Sequence, residues 1–303
     1  MYLALAETFV NGFALFMIAL GIGVLTRFAG PAGTLGLIPA LNIFGFPMSY
    51  AVGTGIVCLL GRAIMDTFRE GSFTNPDFRR GILLGLQIAA GVSIGKVILL
   101  TMADANVTGP PLRWFYIVVL LAYGLLYTFG RRGLTPVPCP RLAPLLPLAG
   151  VTAGILMGLT GMDAALLALP ALAVAGLKQE ETRATAALAG LLATGWGAFT
   201  FSFGGRVEVA AVILILLGMT IGEQVGLLCQ RRVPHLAVRP LAGAALAITG
   251  LAVALKQFGL TTPGGYLVWA VSLLLVLFVF IRALVGSRRV VVVPRSASDR
   301  GTV

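Results

Sequence analysis

FAGPAGTLGLIPALNIFGF, residues 28–46, decides how the chain is read, because it returns 131 residues later as LTGMDAALLALPALAVAGL, residues 159–177. Gly30 answers to Gly161, Pro39-Ala40-Leu41 to Pro170-Ala171-Leu172, and Gly45 to Gly176. A second stretch, Gly91-Val92-Ser93-Ile94-Gly95-Lys96, is matched by Gly218-Met219-Thr220-Ile221-Gly222-Glu223, where only the last position changes character. Two pairs of segments in the same order make the chain two copies of one unit.

The chain has 303 residues, of which 58% are hydrophobic and 11% charged, too little polar surface to cover a water-soluble globule of this size. Its 22 cations and formal charge of +11 lie between apolar runs and form no continuous basic face, which excludes nucleic acid as a partner and makes them topology signals. The N-terminal MYLALAETFVNGF lacks a basic stretch and a small-residue cleavage pattern, so it reads as the start of a spanning helix. Cys58, Cys139 and Cys229 form no metal-type or redox cluster.

Apolar segments run over 3–28, 34–46, 48–68, 79–102, 112–130, 143–160, 164–177, 183–203, 209–229, 236–256 and 265–285. The second and seventh are short: a crossing takes about 20 helical residues, and about 13 reach only ~20 Å. They are expected to be broken or half-length helices. If both cross, the loops carrying Arg69/Arg79/Arg80, Arg131/Arg132/Arg141, Lys178/Arg183 and Arg231/Arg232/Arg239, with the tail Arg288/Arg289/Arg295/Arg300, all share one side. Cytoplasmic loops are enriched in Lys and Arg, so that side is the cytoplasm and the N-terminus is outside. Five crossings per unit then place the copies in opposite orientations. The expected fold is an all-α integral membrane protein, an inverted repeat of helical units with short or broken helices near the midplane. Its parts are a first repeat over 1–133, a Pro-rich cytoplasmic linker over 134–144, a second repeat over 145–257, an extra helix over 264–286 and a disordered cytoplasmic tail over 287–303.

In each copy the first long helix ends in a glycine-containing break, Arg27-Phe28-Ala29-Gly30-Pro31-Ala32-Gly33-Thr34 and Thr160-Gly161-Met162-Asp163. Broken helices expose N-terminal amides, which favour anions, and such backbone is tolerated at membrane depth only where protein or a watery cavity satisfies it. An anion site between the breaks would use Arg27, Gly30, Pro31, Ala32, Gly33, Thr34, Asn42, Thr160, Gly161 and Met162. The competing reading is that these glycines only permit close helix packing.

The first copy from Gly30 to Gly45 with Pro39-Ala40-Leu41 and Ala51-Val52-Gly53-Thr54, and the second from Gly154 through Gly158, Gly161 and Pro170, resemble the TauE/SafE sulfite exporter family over most of residues 10–256. That family carries a G-x-G-G-G-like stretch in each half; here Gly30-Pro31-Ala32-Gly33-Thr34 and Gly161-Met162-Asp163-Ala164-Ala165 depart from it. The resemblance implies a bacterial inner-membrane carrier of sulfite, sulfonates or sulfoacetate coupled to an ion gradient, without a cofactor. Its partners would be a small anion, a coupling proton or sodium ion and the bilayer, and self-association is compatible with it.

Charges inside apolar runs are costly and each calls for a reason. Arg27 either offers a fork of donors to an oxyanion or snorkels to the surface. Asp163 binds a coupling cation or proton, pairs with an arginine, or caps the helix that follows. Arg62 and Asp66, four apart, suit an ion pair. Lys96 and Glu223 close the second repeated stretch with opposite charges, which invites a gating salt bridge or, alternatively, snorkelling near helix ends. Catalysis is not expected: the one histidine, His235, falls in a loop, and there is no H-E-x-x-H, G-x-S-x-G or P-loop pattern. A scaffold or biogenesis factor is the remaining alternative to a carrier.

Overall fold

A computed structural model describes residues 5–70, 77–105, 107, 109–129, 145–230 and 235–286. The expected linker 134–144 and tail 287–303 lie outside the described residues. The chain is an all-α integral membrane protein, with no strand among the described residues. Helix α1 spans Leu5–Ala29, a 3-10 helix Gly30–Gly36 and α2 Leu37–Ile43, followed by α3 Met48–Glu70, α4 Phe78–Asp104 and α5 Gly109–Phe129. The second half contains α6 Leu146–Thr160, α7 Ala164–Val174, α8 Gln179–Phe203, α9 Val209–Gln230 and α10 His235–Gln257, and α11 covers Thr261–Gly286.

Among the described residues, eight helical segments are long and apolar enough to cross a bilayer. The side chains follow the same logic. Large aliphatic and aromatic groups such as Leu86, Val97, Val118, Phe129, Phe203 and Leu274 face outward, while the interior is rich in alanine and threonine. In water that outer surface would drive aggregation; in lipid it is the expected face.

Without a hydrophobic force between helices in lipid, close backbone approach sets which helices pair. α4 lies against α6 and α1 against α9. A β-carbon at Gly91 would overlap the Val151 carbonyl oxygen and stand 2.8 Å from the Gly154 Cα; one at Gly158 would overlap the Val92 carbonyl. In the other pair, β-carbons at Gly23 and Gly222 would overlap the Met219 and Leu20 carbonyls. Contacts advance together along both pairs, so each is parallel. Along α5 and α10 they run oppositely, Gly250 meeting Leu120 and Gly243 meeting Thr128, and α3 and α8 behave alike, Gly53 meeting Phe201 and Gly195 meeting Leu60.

These contacts correct one expectation. Gly91 meets Gly154, whereas the residue meeting Gly23 is Gly222, not Gly218. The contacts therefore keep the offset of 131 residues throughout, and the letter match of Gly91 with Gly218 is displaced by about one helical turn. Lys96 and Glu223 are not counterparts.

Two buried hydroxyls repeat at the same offset. Thr54 on α3 accepts the Glu208 N–H at 3.0 Å, just before α9, and Thr185 on α8 accepts the Asp77 N–H at 3.1 Å, just before α4. Each satisfies an amide at a helix start that has no partner within its own helix.

The short elements are as brief as expected, but differ from each other. In the first copy the break continues as a 3-10 turn, and Pro39 falls in the first turn of α2, where its missing N–H is harmless. In the second copy the chain leaves the helix at Gly161, and Pro170 sits inside α7. Gly30 and Gly161 both adopt left-handed conformations, with φ of 64° and 69°.

Gly91→Leu is expected to lower stability by at least about 3 kcal/mol, since backbone atoms must move apart. Gly195→Ala, whose β-carbon would find its nearest neighbour, Leu60 Cδ1, at 3.9 Å, should stay within about 0.5 kcal/mol of wild type. Thermal unfolding in detergent compares them, and equal behaviour would show that the glycine contacts do not hold the helices together.

Candidate functional site

The second break meets the short helix that follows the first. A β-carbon at Gly161 would lie 2.5 Å from Ile38 Cδ1, at the start of α2, so the turn between α6 and α7 abuts the first copy's short helix. Beside it, the packing of α3 against α8 and α9, and of α9 against α1, gathers charged side chains from three elements.

Arg62 on α3 is the centre of this group. Its Nη1 lies 3.4 Å from Asp163 Oδ2 and its Nε 3.1 Å from Glu223 Oε1 on α9, with the three side chains only 12%, 12% and 9% exposed. Asp163 also accepts the Ala165 N–H through Oδ1 at 2.9 Å, which makes it the N-cap of α7. The cap and the ion pair, alternatives in the sequence, occur together: one oxygen holds the helix start and the other holds Arg62. The Thr26 hydroxyl on α1 lies 2.7 Å from the Gly23 carbonyl and 3.2 Å from Glu223 Oε1. A single hydroxyl proton serves one of these at a time, so the Glu223 contact can be remade without moving the backbone. Buried ions of this kind cost desolvation energy that geometry and hydrogen bonds must offset, which makes the cluster a candidate functional centre.

The remaining expected residues divide. Thr34 donates to the Pro31 carbonyl at 2.7 Å, and Thr160 donates to the Leu156 carbonyl at 2.6 Å while its own carbonyl accepts the buried Tyr116 hydroxyl. Ala32, Gly33 and Met162 are buried beside them, and Pro31 is half-buried. These hydroxyls are engaged within the breaks. Arg27, half-buried in the last turn of α1, packs its stem against Gly226 of α9. Asp66 lies on α3 with its side chain outside the described residues, so the Arg62–Asp66 pair is not described.

The Lys96–Glu223 bridge does not form. Lys96 on α4 donates to the Thr200 carbonyl at 2.5 Å and rests 5.7 Å from the Phe201 ring centre, whereas Glu223 faces Arg62. The reason is the pairing: α4 packs on α6 and α8, and α9 on α1 and α3. Asn42 is also away from the breaks, near the far end of α2, where it accepts from Arg113 Nε at 3.2 Å and Lys256 bonds its carbonyl. Arg113, Lys256 and Thr26 were missed in the sequence. The first two stand at the ends of the apolar segments 112–130 and 236–256, and neither has a charged counterpart at the 131-residue offset.

With this geometry in view, comparison with known families is decisive. The sulfite exporter TauE/SafE family model matches residues 15–253, most of the chain. The chain belongs to the sulfite exporter TauE/SafE family. No curated protein and no solved structure matches it. TauE/SafE membership implies a membrane transporter of sulfite or related anions, consistent with the apolar, helical fold and with a protein that is not an enzyme.

Removing Arg62 leaves two buried carboxylates without their guanidinium. Arg62→Gln is expected to lose about 3 kcal/mol of stability, and adding Asp163→Asn with Glu223→Gln should restore a large part of it. Melting curves of the single and triple variants test this; a neutral Arg62→Gln would remove the cluster from the stability of the fold.

Proposed function

We propose that this TauE/SafE protein is a secondary transporter of small sulfur-containing anions, of the sulfite, sulfonate or sulfoacetate class. Two inverted repeats rock about the two breaks to expose the anion alternately to the two sides. The observation that carries the reading is the Arg62–Asp163–Glu223 cluster, which ties the second break to α3 and α9 in a chain of this family.

The inverted arrangement is supported by the packing. α3 and α8 occupy corresponding places in the two copies and run antiparallel where they touch, as do α5 and α10. The pairs α1/α9 and α4/α6 exchange first and fourth helices between copies. In this reading the repeats cover 1–133 and 145–257 around the linker 134–144, α11 is an addition within 264–286, and the protein sits in a bacterial inner membrane with its N-terminus outside and C-terminus cytoplasmic.

Arg27 and the break backbone around Gly30 and Gly161 receive the anion. Asp163 and Glu223 share Arg62, each through its own nitrogen. A proton or sodium ion arriving at either carboxylate weakens its hold on the guanidinium, and because Asp163 caps α7, that change loosens or tightens the start of the short helix. This couples ion occupancy to the position of the break.

Purified protein in liposomes should show counterflow of labelled sulfite or sulfoacetate above protein-free vesicles, and Asp163→Asn should lower it at least about tenfold while the protein still elutes as wild type. Absence of flux for sulfite, sulfoacetate and methanesulfonate would overturn the transport reading. Unaltered flux in Asp163→Asn would remove the cluster from coupling.

A further inference from the structure

The geometry points to a second oxyanion site, separate from the Arg62 cluster, formed by Arg113, Lys256 and Asn42 where the end of α2, the start of α5 and the end of α10 converge. Asn42 is 5% exposed and is its hub. Its side-chain oxygen accepts from Arg113 Nε at 3.2 Å, its carbonyl accepts from Lys256 Nζ, and its own amide donates to the Phe46 carbonyl at 3.0 Å. Arg113 Nη1 adds a 3.4 Å bond to Gln257 Oε1.

Two cations thus grip one residue from two sides, both half-buried, and every oxygen they meet is neutral. No carboxylate among the described residues pairs with either. Like charges gathered on a partly desolvated spot repel, and neutral carbonyls relieve this only in part. A guanidinium has five donors and an ammonium three, so donors remain after the bonds to Asn42 and Gln257.

Capping the end of α2 does not explain the cluster, because the second copy provides an internal control. α7 ends as α2 does: Gly176 has φ 89° against 94° at Gly45, and the Gly176 and Gly45 N–H groups both bond the carbonyl three residues back at 3.1 Å. At the offset of 131 residues, Asn42, Arg113 and Lys256 correspond to Ala173, Ala244 and Leu125. The same turn forms there although all three corresponding positions are apolar. The polar trio is therefore additional to the fold, and two cations with spare donors fit an anion carrying several oxygens on one centre, through fork-like charge-assisted bonds. Free sulfite or a sulfonate has this chemistry, and so does the phosphate of an anionic lipid at a bundle end.

The test is thermal unfolding of the full chain in neutral detergent micelles. One arm adds sodium sulfite against sodium chloride at equal ionic strength; the other adds phosphatidylglycerol against phosphatidylcholine. Wild type should rise by about 3 °C in at least one arm, and Arg113→Gln with Lys256→Gln should remove at least two thirds of the rise while Gly195→Ala retains all of it. A rise with sulfite names a free anion, and one with phosphatidylglycerol a lipid headgroup. If the double variant does not fold, Lys256→Gln alone should reduce the rise by at least half. No rise in either arm overturns the site, as does a rise of equal size in the Arg113 and Lys256 variants. The site does not rest on transport: wild-type counterflow scores that reading separately, and its failure leaves this outcome standing.

Discussion

Glycine against backbone is the constraint on which the molecule depends. Lipid offers helices no gain from burying one apolar face against another, so association relies on close contact, and here α4 meets α6 and α1 meets α9 at glycines that no side chain can replace without overlap. These two junctions decide what else can meet. α9 alongside α1 brings Glu223 to Thr26, α3 across α9 brings Arg62 to Glu223, and α6 held on α4 brings the turn at Gly161 to Ile38 and Asp163 to Arg62. The charged cluster is a consequence of the packing of small residues some distance from it.

The repeat was legible because it depends on residues with few substitutes. Gly30 and Gly161 take left-handed φ, and Gly45 and Gly176 end the short helices, so the same letters recur wherever the same backbone does. Segment lengths gave away the short helices for a simple geometric reason. The register of the fourth helix was less legible, since glycine recurs there every four residues: Gly218, Gly222 and Gly226 all face α1, and letters alone choose the wrong one by a turn. That slip created the false pairing of Lys96 with Glu223. Arg113 and Lys256 were hidden for another reason. Each stands at the edge of an apolar run, and only the three-dimensional meeting of three helix ends joins them to Asn42.

Departures from symmetry are where chemistry accumulates. Thr54 and Thr185 do the same work in both copies, each holding the N–H that precedes a long helix, and such pairs describe the scaffold. Asp163 has Ala32 at the corresponding place in the first copy, Glu223 has Val92, and Arg62 has Ala193. A cluster drawn from three unmatched positions, two of them carboxylates and one a guanidinium, adds a buried electrostatic cost that the packing of the repeat does not require. Function accounts for that cost more readily than stability does.

Opposite insertion of the two copies underlies the proposed transport cycle, and Pro47 and Lys178 test it directly because they are exposed, 131 residues apart, and follow the two short helices. With Cys58, Cys139 and Cys229 replaced, single variants Pro47→Cys and Lys178→Cys would be treated with a membrane-impermeant maleimide on intact spheroplasts. Inverted repeats predict that position 47 is labelled at once and position 178 only after the membrane is opened. Labelling of both from the same side would contradict the inversion and, with it, the alternating-access account.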